Sequence, residues 1–129
     1  MRGWSQPIKS SGFSLLEMTV SLMVLGFALA ALFKVAQGSA TVGMITVSAI
    51  LAPLIVASPP PYHPVYILMA IGGGSQVGAW MNDSGFWIFQ TMTGLNEIET
   101  LKTKSAMLVV LGTTGFLVSL LYSWLLPLV

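Results

Sequence analysis

The chain has 129 residues, 55% hydrophobic and 7% charged, where an ordinary soluble domain carries roughly a quarter charged residues, so it cannot clothe a globule in polar surface. Five Lys+Arg against four Asp+Glu leave a net charge of +1, which excludes the basic field that a nucleic-acid partner needs. The absence of cysteine and the single histidine, His63, exclude disulfides, thiolate nucleophiles and a His/Cys metal cluster, and no cofactor is expected.

A helix that crosses a hydrocarbon core about 30 Å thick needs about 20 mostly apolar residues, and the chain is measured against that length first. Residues 13–33 meet it with Glu17 as their only charge. Lys34 follows directly. Residues 38–58 form a second, shorter apolar run that ends at Ser58-Pro59-Pro60-Pro61, and His63 sits in the proline loop behind it. The region 65–92 is apolar but interrupted by Gly72-Gly73-Gly74 and then by Asn82-Asp83-Ser84-Gly85. Irregular backbone at membrane depth is tolerated only where protein or a water-filled cavity surrounds it, and transporters build substrate and ion sites at such breaks. Residues 93–104 carry Glu97, Glu99, Lys102 and Lys104 and read as a solvated loop with a short surface helix. Residues 105–128 are uncharged and long enough to span. The pattern predicts an all-α integral membrane protein with about three transmembrane helices plus a glycine-broken, re-entrant helical segment.

Arg2 and Lys9 ahead of the first span place the N-terminus in the cytoplasm. If 65–92 turns back on itself, Lys102 and Lys104 fall on that same side; Lys34 argues against the scheme. Trp80, Trp87 and Trp124 read as interfacial anchors.

Gly12-Phe13-Ser14-Leu15-Leu16-Glu17 heads the first apolar run, behind a short leader, residues 1–12. This block resembles the cleavage and methylation signature of type IV prepilins. The resemblance implies a prepilin peptidase as partner, a cut between Gly12 and Phe13, methylation of Phe13, and pairing of Glu17 with a neighbouring subunit's amine. A carboxylate in hydrocarbon is costly without a partner; stabilisation of Glu17 by the interface and the helix dipole is the alternative. Pilins continue into a polar globular head, whereas this chain continues into more apolar sequence.

A second resemblance covers residues 31–129. Lys34-Val35-Ala36-Gln37-Gly38-Ser39-Ala40-Thr41-Val42, then Gly74-Ser75, then Asn82-Asp83-Ser84-Gly85-Phe86-Trp87 and finally Glu99-Thr100-Leu101-Lys102-Thr103 occur in order. The set resembles the last part of the gluconate permease (GntP) family, gluconate:proton symporters of the bacterial inner membrane. Family members are several times longer. The resemblance therefore implies a transporter fragment joined near residues 29–32 to a prepilin-like head and not transport-competent alone, with membrane lipid, a sugar acid such as gluconate and a coupled proton as partners. Missing permease segments or an oligomer would complete it.

A site for a hydroxylated carboxylate needs donors and little apolar bulk. Gly38, Ser39 and Thr41, and Gly74 and Ser75, supply small side chains, hydroxyls and backbone N–H groups at expected helix breaks. Close helix packing at the glycines and back-bonding by the hydroxyls are the ordinary alternatives. Asn82 and Asp83 are the sharpest pair. Asp83 could carry the coupled proton if desolvation raises its pKa, or it caps the helix that follows. Nothing here assembles a catalytic nucleophile and base, so no enzyme is expected. Besides the transporter fragment, a peptidase-processed prepilin-like protein and a small membrane protein that binds a partner through its helices remain open.

Overall fold

The computed structural model describes residues 15–126, and all regular structure among them is helical. Gly12 and Phe13, the expected cleavage site, lie outside the described residues. Helix α1 runs Leu15–Gln37, α2 Ala40–Ala57, α3 Val65–Gln76, α4 Ser84–Thr93, α5 Glu97–Thr100 and α6 Ala106–Leu125. A π-helical turn, Leu101–Ser105, joins α5 to α6 without a break, so the charged stretch expected as a loop is largely a helical extension of α6. Three helical stretches, Glu17–Gln37, Ala40–Ala57 and Glu97–Leu125, are long and apolar enough to cross a membrane.

Helix α3 is the centre of the bundle and packs against α1, α2 and α6. Met23, Ala30, Val47, Leu51, Ile67, Ala70 and Ile71 form the buried core. The outer faces carry Leu32, Ile45, Val56, Val110, Leu117 and Trp124 in the open. That distribution suits a lipid solvent, in which apolar side chains gain nothing from inward burial and small residues set the packing.

The break in the fourth apolar region lies later than the glycines suggest. Helix α3 runs through Gly72-Gly73-Gly74 and stops after Gln76, and the non-helical stretch is 77–83. Each glycine in a helix interior costs about 1 kcal/mol relative to alanine, and at Gly73 and Gly74 close packing offsets that. A Cβ on Gly73 would lie 2.7 Å from the Gly112 carbonyl oxygen of α6, and one on Gly74 would collide with the Phe27 carbonyl of α1. Gly73 and Gly74 are contact points between backbones, whereas Gly72 has open space around it. The turn is made by Gly78, whose φ of 86° few other residues adopt.

The re-entrant arrangement is also corrected. The Tyr62 hydroxyl donates to the Thr19 carbonyl at 3.1 Å, near the start of α1, whereas the Asn82 amide donates to the Val35 carbonyl at 2.7 Å, near its end. Thr19 and Val35 are about 24 Å apart on one helix at 1.5 Å per residue. Residues 62–82 therefore traverse the bundle from one end to the other. Helix α6 returns the same way, from Ser105, whose hydroxyl donates to the Ala79 carbonyl at 2.5 Å, to Leu126, whose carbonyl accepts from Tyr66.

Candidate functional site

The site lies at the end of the bundle where α1 stops, α2 and α4 start and the 101–105 turn enters α6. Helix α1 ends because Gly38 takes a left-handed conformation, φ 75°, and its N–H donates to the Lys34 carbonyl at 2.8 Å. Ser39 then caps α2, accepting the Val42 N–H at 3.3 Å. Thr41 is exposed in the first turn of α2.

The 77–83 connection is tied to the end of α1 by two donors on one acceptor: Trp80 Nε1 at 3.0 Å and Asn82 Nδ2 at 2.7 Å from the Val35 carbonyl oxygen. A Cβ on Gly38 would run into the Asn82 carbonyl, so only glycine lets these backbones meet. Asp83 then caps α4, with Oδ1 accepting from the Gly85 N–H at 3.0 Å.

The other carboxylate oxygen of Asp83 faces lysines. Lys34 Nζ lies 3.0 Å from Oδ2, and Lys104 Nζ lies 3.8 Å from the same atom. Lys34 is buried, with 4% of its surface exposed, and its ammonium also donates to the Gly38 carbonyl at 2.9 Å. A charge so far from solvent persists only when paired and hydrogen-bonded. Burial by itself would push the Asp83 carboxyl up; the Lys34 hydrogen bond, the Gly85 N–H and the charges of Lys34 and Lys104 together outweigh it and hold the group below its ordinary value. The balance runs opposite to the rise that a proton-carrying role for Asp83 assumes. Asp83 serves as counter-ion to Lys34 and as the cap of α4.

Around these charges opens a pocket of about 400 Å³, lined by Lys34, Gly38, Ser39, Thr41, Gln76, Asp83, Ser84 and Lys104 among others. Of the expected site residues, Gly38, Ser39, Thr41 and Asp83 are brought together there, and Asn82 buttresses it from behind through Val35. Gly74 and Ser75 lie elsewhere, inside α3, where Ser75 Oγ donates back to the Gly72 carbonyl at 2.7 Å. Glu17 is exposed in the first turn of α1, at the opposite end. Lys34 and Lys104, which also line the pocket, were not among the expected site residues. The one available signal was a lysine closing an apolar run four residues ahead of a glycine. Among the described residues no group of three or more His, Cys, Asp or Glu could hold a metal ion.

Comparison with known proteins adds what geometry cannot. The profile of the GntP family permease matches residues 9–125. The chain belongs to the GntP permease family. It is 37% identical over 111 residues to the low-affinity gluconate transporter of Escherichia coli K12, covering 85% of this chain and 25% of that protein. With the high-affinity gluconate transporter of the same organism it shares 34% over 105 residues, 81% of this chain and 24% of the relative. The Gnt-II system L-idonate transporter of E. coli K12 is 34% identical over 99 residues, 77% of this chain and 22% of the relative. The chain thus spans about a quarter of the length of these proteins. No solved structure matches. The family match begins at residue 9, well ahead of the boundary at 31 read from the sequence, so it takes in the first span and the Gly12–Glu17 block as well.

Proposed function

We propose that the chain forms part of a secondary transporter for gluconate or a related sugar acid in the bacterial inner membrane, working together with further permease spans. The observation that carries this reading is the family match over residues 9–125, joined to relatives that are transporters of gluconate and L-idonate. A polar pocket with a buried lysine, set among otherwise apolar helices, agrees with an anionic substrate. The outward apolar faces of α2 and α6 are the surfaces that lipid and the further spans would cover. Coupling to a proton is part of the reading. The prepilin-type block falls inside the family match, so no leader peptidase is needed to account for it.

The test is a chimera in which residues 9–125 replace the matching segment of the E. coli low-affinity gluconate transporter, expressed in cells without gluconate uptake. Labelled gluconate should accumulate well above the empty-vector level. A chimera that reaches the membrane in normal amount yet accumulates neither gluconate nor idonate would sink the reading.

A further inference from the structure

We propose that the pocket between α1, α2 and α4 seats the carboxylate of the substrate, with Lys104 and the first turn of α2 as its partners and Asp83 as the resident carboxylate that the substrate displaces from Lys104. The proposal rests on the sugar-acid reading above and assigns it a place and a recognition chemistry.

The two lysines are not equivalent. Lys34 holds Asp83 at 3.0 Å and is fixed a second time by the Gly38 carbonyl at 2.9 Å. Lys104 stands 3.8 Å from the same carboxylate oxygen, beyond hydrogen-bond distance, with 13% of its side chain exposed. Two ammonium groups thus share one carboxylate, and the cluster keeps one uncompensated positive charge beside a pocket of about 400 Å³. Such a volume lies within the range of roughly 300–1,000 Å³ usual for small-molecule sites.

Two helices begin at the pocket, and their N-termini add partial positive charge of the same sign as the spare lysine. Helix α2 has 18 residues and α4 has 10. The Asp83 side chain serves the N-terminus of α4 and Ser39 serves that of α2, which leaves the remaining first-turn N–H groups of α2 to face a ligand. Gly85 keeps the approach open, since a Cβ there would lie 3.1 Å from Lys104 Nζ. Hydroxyl and amide groups of Thr41, Ser84 and Gln76 on the wall suit the hydroxyls of the same acid. A singly charged carboxylate matches a single surplus charge.

The experiment is calorimetric titration of the full chain, reconstituted in nanodiscs, with gluconate and with the uncharged polyol glucitol. Gluconate should bind and glucitol should not. Lys104→Gln should weaken gluconate binding at least tenfold, and Asp83→Asn, which removes the internal competitor, should tighten it several-fold. Asp83→Asn leaves Lys34 buried beside a neutral amide, so its folding is checked by thermal melting, and Lys104→Gln carries the test if that variant does not fold. Gluconate binding that Lys104→Gln leaves unchanged overturns the pocket assignment while the sugar-acid reading stands. Absence of gluconate binding to the wild-type chain also overturns the assignment, with the sugar-acid reading then decided by uptake through the chimera.

Discussion

At the scale of single residues, the bundle end is set by one glycine and one carboxylate. Gly38 has a φ of 75° and no room for a Cβ against the Asn82 carbonyl, whereas Gly94 has a φ of 72° and open space around it. Gly38→Ala should therefore lose about 1–3 kcal/mol for the strained backbone, and more for the collision. Gly94→Ala should lose the backbone part alone. Thermal melting of both variants in detergent measures the difference, and equal losses would show that the Gly38 approach to Asn82 contributes nothing. Asp83 gives a pH dependence with a definite sign. Its folded-state carboxyl is held below the ordinary value, so the stability it contributes is present above the unfolded-state pKa, about 3.9, and is lost as pH falls through the folded value. Melting points of the wild type should fall at acid pH, and Asp83→Asn should flatten that fall; an unchanged profile would remove Asp83 from the account. Asp83 was legible in the sequence because an isolated carboxylate in an apolar region demands a reason. Its partners were not. Lys34 and Lys104 meet it only after three separate elements have packed, and no local pattern records such a meeting.

At the scale of elements, apolar length alone placed the long helices within a few residues of where they lie, since a chain in lipid must close its backbone hydrogen bonds within each segment. The glycine triplet misled, because intrinsic propensity disfavours glycine in a helix while packing between backbones rewards it. Gly73 and Gly112 are each other's contact across α3 and α6. A side chain at Gly112 would strike the Gly73 carbonyl and lie 2.9 Å from the Val77 side chain, whereas Gly115, one turn further along α6, has nothing within 4 Å. Gly112→Val should accordingly force α3 and α6 apart and lower the melting temperature by several degrees, as overpacking costing about 1–3 kcal/mol does. Gly115→Val, with the same change in propensity, is the control and should shift it little. Similar losses at both positions would mean that the close crossing is not what makes Gly112 necessary, since propensity favours valine over glycine at either site.

At the scale of the whole molecule, the topology follows from which ends of the helices touch. The Pro-rich connection 58–64 sits beside the start of α1, because Tyr62 donates to the Thr19 carbonyl. The turn 101–105 sits beside the far end of α3, because Ser105 donates to the Ala79 carbonyl, and Lys104 reaches Asp83 next to Lys34. Residues 60 and 104 therefore lie at opposite ends of a bundle whose first helix, 23 residues long, measures about 35 Å, enough to cross the hydrocarbon core. Counting lysines along the sequence puts both on the cytoplasmic side, whereas the packing contacts place them at opposite ends of the bundle. Reporter fusions of alkaline phosphatase and a fluorescent protein after residue 60 and after residue 104 should give opposite compartments, one active as phosphatase and the other as fluorophore. Lys104→Gln should leave that difference in place, since packing of α3 between α1 and α6 fixes the traverse and the charge does not. Two fusions reporting the same compartment would mean that residues 65–92 turn back within the membrane, and that the contacts of Tyr62 and Asn82 with opposite ends of α1 do not both form there.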